Sequence, residues 1–305
     1  MIDYVQHKDI DKIKWDGFIS SSPQSSVYAY SWFLDIVSPG WDALIEDDHR
    51  SAFPLTCRKK AGIHYLFQPH FTQHLGLFTG DKIITVNKLR EFIDAIPDKF
   101  RLTEIQLNPS DLIDHIDGYT IKNRITCHLE LGQTYEKIFS GYSENLKRNI
   151  KKAQKSQLRI VHYEVDDDIV GLFRQNRGAG IQQLKTEDYK TLLELLSEAR
   201  KRELLKCKAV LNSSGKLIAG AMFIRSPHSY IFMFSATGDE ARETGAMSAL
   251  IDSFIQEHSG KNLILDFEGS MDKDLARFYK SFGSQEIVYL QILKNNLPLL
   301  LRWLK

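Results

Sequence analysis

The sequence predicts an α/β protein with mixed sheets, built as two domains. Three observations carry this. Short β-rich runs alternate with helical patterns along the chain, the order of elements restarts near Ile125, and 305 residues suffice for two domains that each bury a core. The cut falls between residues 1–124 and 125–305.

In the first half, Ile10 to Ser20 and Ser31 to Val37 carry helical patterns, and Val86 to Ile96 carries a third that stops before Pro97. The β-rich runs are Trp41 to Ile45, Ala52 to Arg58, His64 to Gln68 and Glu104 to Leu107, punctuated by Gly, Asp-Asp, Lys-Lys or Pro. The second half opens with a strand at Ile125 to Leu131, a helix from Thr134 through Ser156, and a strand at Leu158 to Glu164. Helices near Asp167 to Arg177 and Lys185 to Lys201 follow. Turn residues Ser213-Ser214-Gly215-Lys216 and Ser226-Pro227-His228 then separate runs at Lys208 to Asn212, Leu217 to Ile224 and Ser229 to Ala236, which predicts an antiparallel meander. In the helix expected at Ala246 to His258, Met247, Leu250, Ile251, Phe254 and Ile255 form one apolar face. A strand at Asn262 to Phe267, a helix at Lys273 to Phe282 and a strand at Glu286 to Leu293 end the series.

Composition excludes several classes. With 43% hydrophobic and 26% charged residues the chain is not disordered. A net charge of +1 excludes polybasic nucleic-acid binding by the whole protein, which depends on releasing counterions from many phosphates. Cys57, Cys127 and Cys207 are scattered, so neither a zinc cage nor a disulfide framework is suggested and a reduced, cytoplasmic setting is expected. Charges interrupt every apolar run of the N-terminus, and nothing approaches the ~20 apolar residues of a membrane span.

The stretch from Ser229 to Gln256 runs from an aromatic strand ending at Ala236, through the polar segment Thr237 to Gly245, to the N-terminus of an amphipathic helix. Such a terminus presents unpaired N–H groups and the positive end of a dipole, and glycine lets a ligand approach the backbone, which suits a phosphate. Thr244 and Gly245 also fit a plain helix cap. Arg242 and Gly245 in the stretch Arg242 to Ala246, with the Tyr279 to Gly283 spacing before the last strand, resemble the acyl-CoA N-acyltransferase (GNAT) superfamily. The chain departs from that pattern at Met247, where a small residue is expected.

A second block, Tyr142 to Lys155, places Lys147, Arg148, Lys151, Lys152 and Lys155 on one helix face and Leu146, Ile150 and Ala153 on the other. Five cations with only Glu144 nearby favour an anion-facing role over an ordinary solvated face. Together with Arg124 to Leu131, Leu265 to Ser270 and Phe278 to Gly283, this block looks like the Fem-type peptidoglycan-bridge aminoacyltransferases, over most of residues 124 to 293. Tyr279 stands where Fem-type relatives often have Lys, and the coiled-coil arm of some members is absent between Gly171 and Lys208.

The resemblance implies two tandem GNAT-like domains sharing a cleft. The first would shape the acceptor side, and the second would bind the donor and carry the chemistry. It implies an acyl-CoA or aminoacyl-tRNA as co-substrate, no tightly bound cofactor, no metal, and an amine acceptor such as a cell-wall or envelope precursor. Amide formation needs a deprotonated amine, a stabilised carbonyl oxygen and a protonated leaving group. Tyr279 is then the candidate general acid, and Asp266 and Glu268 the candidates for binding or deprotonating the amine. The donor would lie along Ala236 and Thr237, with its phosphates near Arg242, Thr244, Gly245 and Ala246 and further contacts from Lys147, Arg148, Lys151 and Lys152. Each catalytic residue has a plain reading too: Tyr279 lies on an apolar stripe with Leu275, Phe278 and Phe282, and Asp266-Phe267-Glu268 fits a turn cap.

Weaker signals are set aside. His70 and His74 have metal-ligand spacing but no third partner, Cys127 and His128 point to opposite faces of a strand, and Asp166-Asp167-Asp168 reads as a helix start. Gln68 to Gly76 looks like a segment of short Fem-like relatives that edges the interdomain cleft. The tail Leu297 to Lys305 fits docking on its own domain, with peripheral membrane contact as the other reading. A different class also fits the chain: a non-catalytic RNA or anionic-glycan binding module on a degenerate GNAT fold.

Overall fold

The computed structural model describes residues 1–180, 184–269 and 271–298, so most of the C-terminal tail lies outside the described residues. The chain forms two compact units, one of Met1–Ile125 with the residues from Ile287 on, the other of Thr126–Glu286.

The elements of the first unit run β1 (Ile2–Val5), α1 (Lys12–Ser21), α2 (Ser31–Val37), β2 (Asp42–Glu46), β3 (Ser51–Leu55), β4 (Cys57–Lys60), β5 (Ile63–Leu66), β6 (Phe78–Thr79), α3 (Val86–Asp94) and β7 (Phe100–Gln106). Strands β1, β2, β3 and β6 pair in that order, all antiparallel. In a second sheet β5 lies parallel to β7 and antiparallel to β4. Side chains start the helices: Asp11 accepts from the N–H groups of Ile13 and Lys14, and Thr85 from that of Lys88. The run expected as one strand from Ala52 to Arg58 is two, because Thr56 turns the chain from one sheet into the other. Its hydroxyl donates to the Phe67 carbonyl at 2.6 Å, and its own carbonyl accepts the Phe67 N–H at 3.1 Å. Leu44, Phe53, Leu66, Phe92 and Ile105 fill the core.

The chain continues through β8 (Thr120–Glu130), α4 (Tyr135–Ser140), α5 (Glu144–Lys155), β9 (Arg159–His162), α6 (Asp166–Gln175), α7 (Thr186–Lys201), β10 (Leu205–Leu211), β11 (Leu217–Arg225), β12 (Ser229–Thr237), α8 (Asp239–Thr244), α9 (Ala246–His258), β13 (Ile264–Gly269), α10 (Lys273–Lys280) and β14 (Gln285–Asn295). The end of β14 returns to the first unit and pairs antiparallel with β7. In the second unit the strands lie in the order β8, β13, β12, β11, β10, β9, and among the described residues β12 and β13 are the one parallel pair. On one face Leu146, Phe223, Phe254, Phe267 and Phe282 build the core, where Phe223 and Phe254 stack at 3.7 Å.

Two expectations are corrected here. The helix expected from Thr134 through Ser156 breaks at Gly141 to Ser143, because Ser143 caps a new helix by accepting the Leu146 N–H at 3.2 Å. The polar segment between Thr237 and Gly245, which carries no helical apolar pattern in the sequence, contains α8, whose first turn carries Asp239 and Glu240, where acids complement the helix dipole. Among the described residues no helix is long and apolar enough to cross a membrane.

Candidate functional site

The second unit opens where its parallel pair parts. Ser229 to Ile231 lie opposite Ile264 to Asp266, and there the ladder between β12 and β13 ends. Each strand carries an extra residue at this point. Phe232 and Phe234 face Phe223 and Met222 on β11, which leaves Met233 as a bulge. On β13 the partner of Asp266 is His128 and that of Gly269 is Thr126, three residues against two, and Glu268 takes the left-handed φ of +60°. Bulges bend a strand and re-aim its side chains. Phe232 accordingly packs on Phe223 at 5.2 Å, whereas Phe234 turns to Phe173 of α6 at 4.7 Å. Beyond Ile231, β12 keeps its ladder with β11, and its other edge faces the gap.

Asp266 sits at the fork, buried. Its Oδ1 accepts the Thr126 hydroxyl at 2.5 Å and the Glu268 N–H at 2.9 Å, and its Oδ2 lies 3.4 Å from His128 Nε2. The last distance is long for a hydrogen bond, so charge does most of the holding. Burial by itself lowers the pKa of His128, but the Asp266 carboxylate outweighs it and the imidazole is held above its ordinary value. Thr126 and His128, two apart on β8, share the face to which Asp266 points.

Tyr279 is on the other side of β13. Its ring stacks on Phe267 at 4.8 Å and meets Phe232 edge-on at 6.0 Å. Since Phe267 follows Asp266 directly, the two candidates Asp266 and Tyr279 project to opposite faces of the strand. Glu268 sits at the bulge, where its N–H donates to Asp266. Burial, with the negative charge of Glu268, pushes the Tyr279 phenol above the ordinary range, while the charge of Arg177 works the other way. Arg177 also pairs with Asp272 at 3.3 Å, the residue that caps α10.

The residues expected to hold the donor are spread over α5, α8 and the start of α9. Ala236 and Ala246 are buried, and Thr237 is half-buried at the end of β12. Arg242 is exposed and pairs with Asp239 at 3.1 Å, one turn away. The Thr244 hydroxyl donates to the Glu240 carbonyl at 2.8 Å. Gly245 has a left-handed φ of +75°, and a Cβ there would lie 2.6 Å from the backbone oxygen of Asn149 in α5. The glycine thus lets α5 approach the start of α9. On α5, Leu146, Ile150 and Ala153 are buried; Lys147 reaches Glu144 at 3.0 Å, Arg148 lies beside Asn145, and Lys151 and Lys152 are exposed. A pocket of about 500 Å³ separates Asn145, Leu146 and Asn149 from Arg277, Phe278 and Lys280 of α10.

The sequence reading missed Thr126 and His128. Alternation along β8 puts both on one face, but their partner is 140 residues away for Thr126, and strand register over that distance is not written locally. Cys127 does point away from His128, into the apolar core. In the first unit, His74 is buried with its Nδ1 2.9 Å from Asn108 Oδ1, and its ring packs on Tyr28 and Tyr289.

No protein-family model matches the sequence, and no curated protein sequence does. Solved structures match nearly its whole length. FemX matches with a TM-score of 0.64 at 11% identity, over 92% of this chain and 96% of FemX. The C-terminal domain of a putative lysylphosphatidylglycerol synthetase from Agrobacterium fabrum matches at 0.56 and 9%, over 93% of this chain and 92% of that one. A GNAT-family acetyltransferase from Colwellia psychrerythraea matches at 0.52 and 11%, over 96% and 99%. At such identities the likeness is one of fold: the chain has the GNAT-like α/β fold, in a form shared with FemX.

Proposed function

We propose that this protein is an N-acyltransferase that moves an acyl or aminoacyl group from a coenzyme A thioester or an aminoacyl-tRNA to an amine. The observation that carries this reading is the fork between β12 and β13, which has a bulge on each strand and titratable groups on both faces. The donor carbonyl would lie in the gap, where N–H groups on the free edge of β12 stabilise the oxygen as charge develops on it. His128, its pKa raised by Asp266, would take the proton of the attacking amine at its other ring nitrogen, with Asp266 steadying the imidazolium. Burial and Glu268 oppose ionisation of Tyr279, so its hydroxyl is present as a hydrogen-bond donor; it would stabilise the departing sulfur or ribose oxygen through the fork and pass its proton as charge develops there. Arg242 would turn to the carrier's phosphates, since an exposed ion pair such as that with Asp239 is worth only ~0–1 kcal/mol. Lys147, Arg148, Lys151 and Lys152 would extend that contact. In this reading the transferred group is an aminoacyl group and the acceptor a component of the cell envelope, in keeping with the fold shared with FemX and with the C-terminal domain of a putative lysylphosphatidylglycerol synthetase.

The test is thermal unfolding with coenzyme A, acetyl-CoA and bulk aminoacyl-tRNA. A ligand of the native state present at about 100 times its Kd raises stability by about 2.7 kcal/mol. One carrier should give a saturable shift that disappears in Arg242→Ala; no shift with any of them would overturn the proposal. The exposed cations of α5 favour a second reading, a nucleic-acid or anionic-glycan binding module without chemistry. It predicts affinity for RNA or a sulfated glycan that falls steeply with salt, without donor turnover.

A further inference from the structure

The first unit holds a cavity of about 550 Å³ lined by Tyr4, Asp42, Cys57, Lys59, His64 and Lys99 among others. Among the described residues Asp42 is the one acid of this lining, and its oxygens are already engaged. Oδ2 accepts the Tyr4 hydroxyl and lies 3.6 Å from Cys57 Sγ, while Oδ1 accepts the His7 N–H at 3.0 Å. Lys99 is held in place: Nζ donates to the Tyr4 hydroxyl, lies 3.8 Å from Asp42, and sits over the rings of Tyr4 and Phe100 at 4.3 and 4.9 Å. Its side chain nevertheless remains 39% exposed, against 12% for Asp42. On the hairpin of β4 and β5, Lys59 lies directly opposite His64 and on the same face as Cys57. An anion seated between them would accept hydrogen bonds from the Lys59 ammonium and from a ring N–H of His64.

We propose that this cavity is a binding site for a small polyanion carrying phosphate, gripped by Lys99, Lys59 and His64. A cation is disfavoured, because the carboxylate of Asp42 is already engaged by Tyr4, His7, Cys57 and Lys99, while Lys59 and the partly exposed Lys99 bring positive charge to the lining. The site lies wholly in the first unit and is independent of the acyl-transfer reading. A free phosphorylated metabolite and a phosphate of a lipid headgroup share this chemistry.

The test titrates the full-length protein with pyrophosphate by calorimetry and, separately, with vesicles containing phosphatidic acid. Binding of either probe should weaken roughly tenfold in Lys99→Met and several-fold in Lys59→Ala, as expected for loss of a charge-assisted contact. Pyrophosphate as the responsive probe identifies a free ligand, and vesicles alone identify a lipid. Lys59 is exposed on β4, so its variant should fold even if loss of Lys99 disturbs the Asp42 network. Absence of binding by both probes, or binding equally strong in Lys59→Ala and in folded Lys99→Met, overturns the proposal.

Discussion

Replacing Gly245 with alanine separates two uses of one residue. The structure assigns it a packing role: φ is +75°, and the added Cβ would meet the backbone oxygen of Asn149 at 2.6 Å and its carbonyl carbon at 3.1 Å. A left-handed conformation costs a non-glycine residue about 1–2 kcal/mol. The overlap adds about 1–3 kcal/mol, since a carbonyl in the middle of α5 moves only with the helix. The sum is about 2–5 kcal/mol. Gly215, in the turn between β10 and β11, is the internal control, because it has a similar φ of +81° with nothing within 4 Å of its Cβ position. Gly215→Ala should therefore lose only the conformational part, about 1–2 kcal/mol. The assay is urea unfolding followed by circular dichroism for both variants. Gly245→Ala should be the less stable by at least about 1 kcal/mol. Equal losses, or a Gly245→Ala protein of wild-type stability, would refute the close approach of α5.

Further outcomes are expected at the fork and in the first unit. Asp266→Asn should reduce amine-dependent donor consumption by about 10²–10⁴, the usual worth of positioned acid–base catalysis, as measured by steady-state turnover. Tyr279→Phe should slow turnover by a comparable factor while the unfolding midpoint barely changes, because the ring keeps its stack on Phe267. His128 has a folded pKa above its unfolded value, so the stability from its pairing with Asp266 is complete below about pH 6.5 and is lost as pH rises through the folded pKa. The destabilisation caused by His128→Gln should therefore be larger at pH 5.5 than at pH 9 in urea titrations. Asp111 is pushed up to about 8 by burial, so the folded chain keeps a proton that the unfolded chain gives up near its ordinary value of 3.8. Stability should fall as pH rises from about 4 to about 8, and Asp111→Asn should flatten that slope.

What was legible in the sequence was local. The apolar spacing from Met247 to Ile255 marks α9 to its observed ends, because a helix packed against a sheet must keep one face apolar. The same holds for Leu146, Ile150 and Ala153 of α5. The break at Gly141 was masked by apolar positions that keep a helical spacing on both sides of it, and only the Ser143 cap reveals it. The crossing at Thr56 hid in a continuous β-rich run, since its cause is a pair of hydrogen bonds to Phe67, eleven residues on. The site shows the same limit. Asp266 and Tyr279 stand out as residue types, but their placement on opposite faces depends on Tyr279 packing against Phe267 from a later helix, and the partnership of Asp266 with Thr126 and His128 depends on long-range register. Neither leaves a periodic trace.

The most direct measurement of the central claim is donor consumption with a panel of amines. Thiol release from acetyl-CoA and deacylation of bulk aminoacyl-tRNA would be followed for the wild type, Asp266→Asn and Tyr279→Phe. The account predicts that one donor is consumed only when an amine is present, and that both variants lose this activity while still binding the carrier. Consumption at the same rate in both variants, or no binding or consumption of either donor, would contradict it.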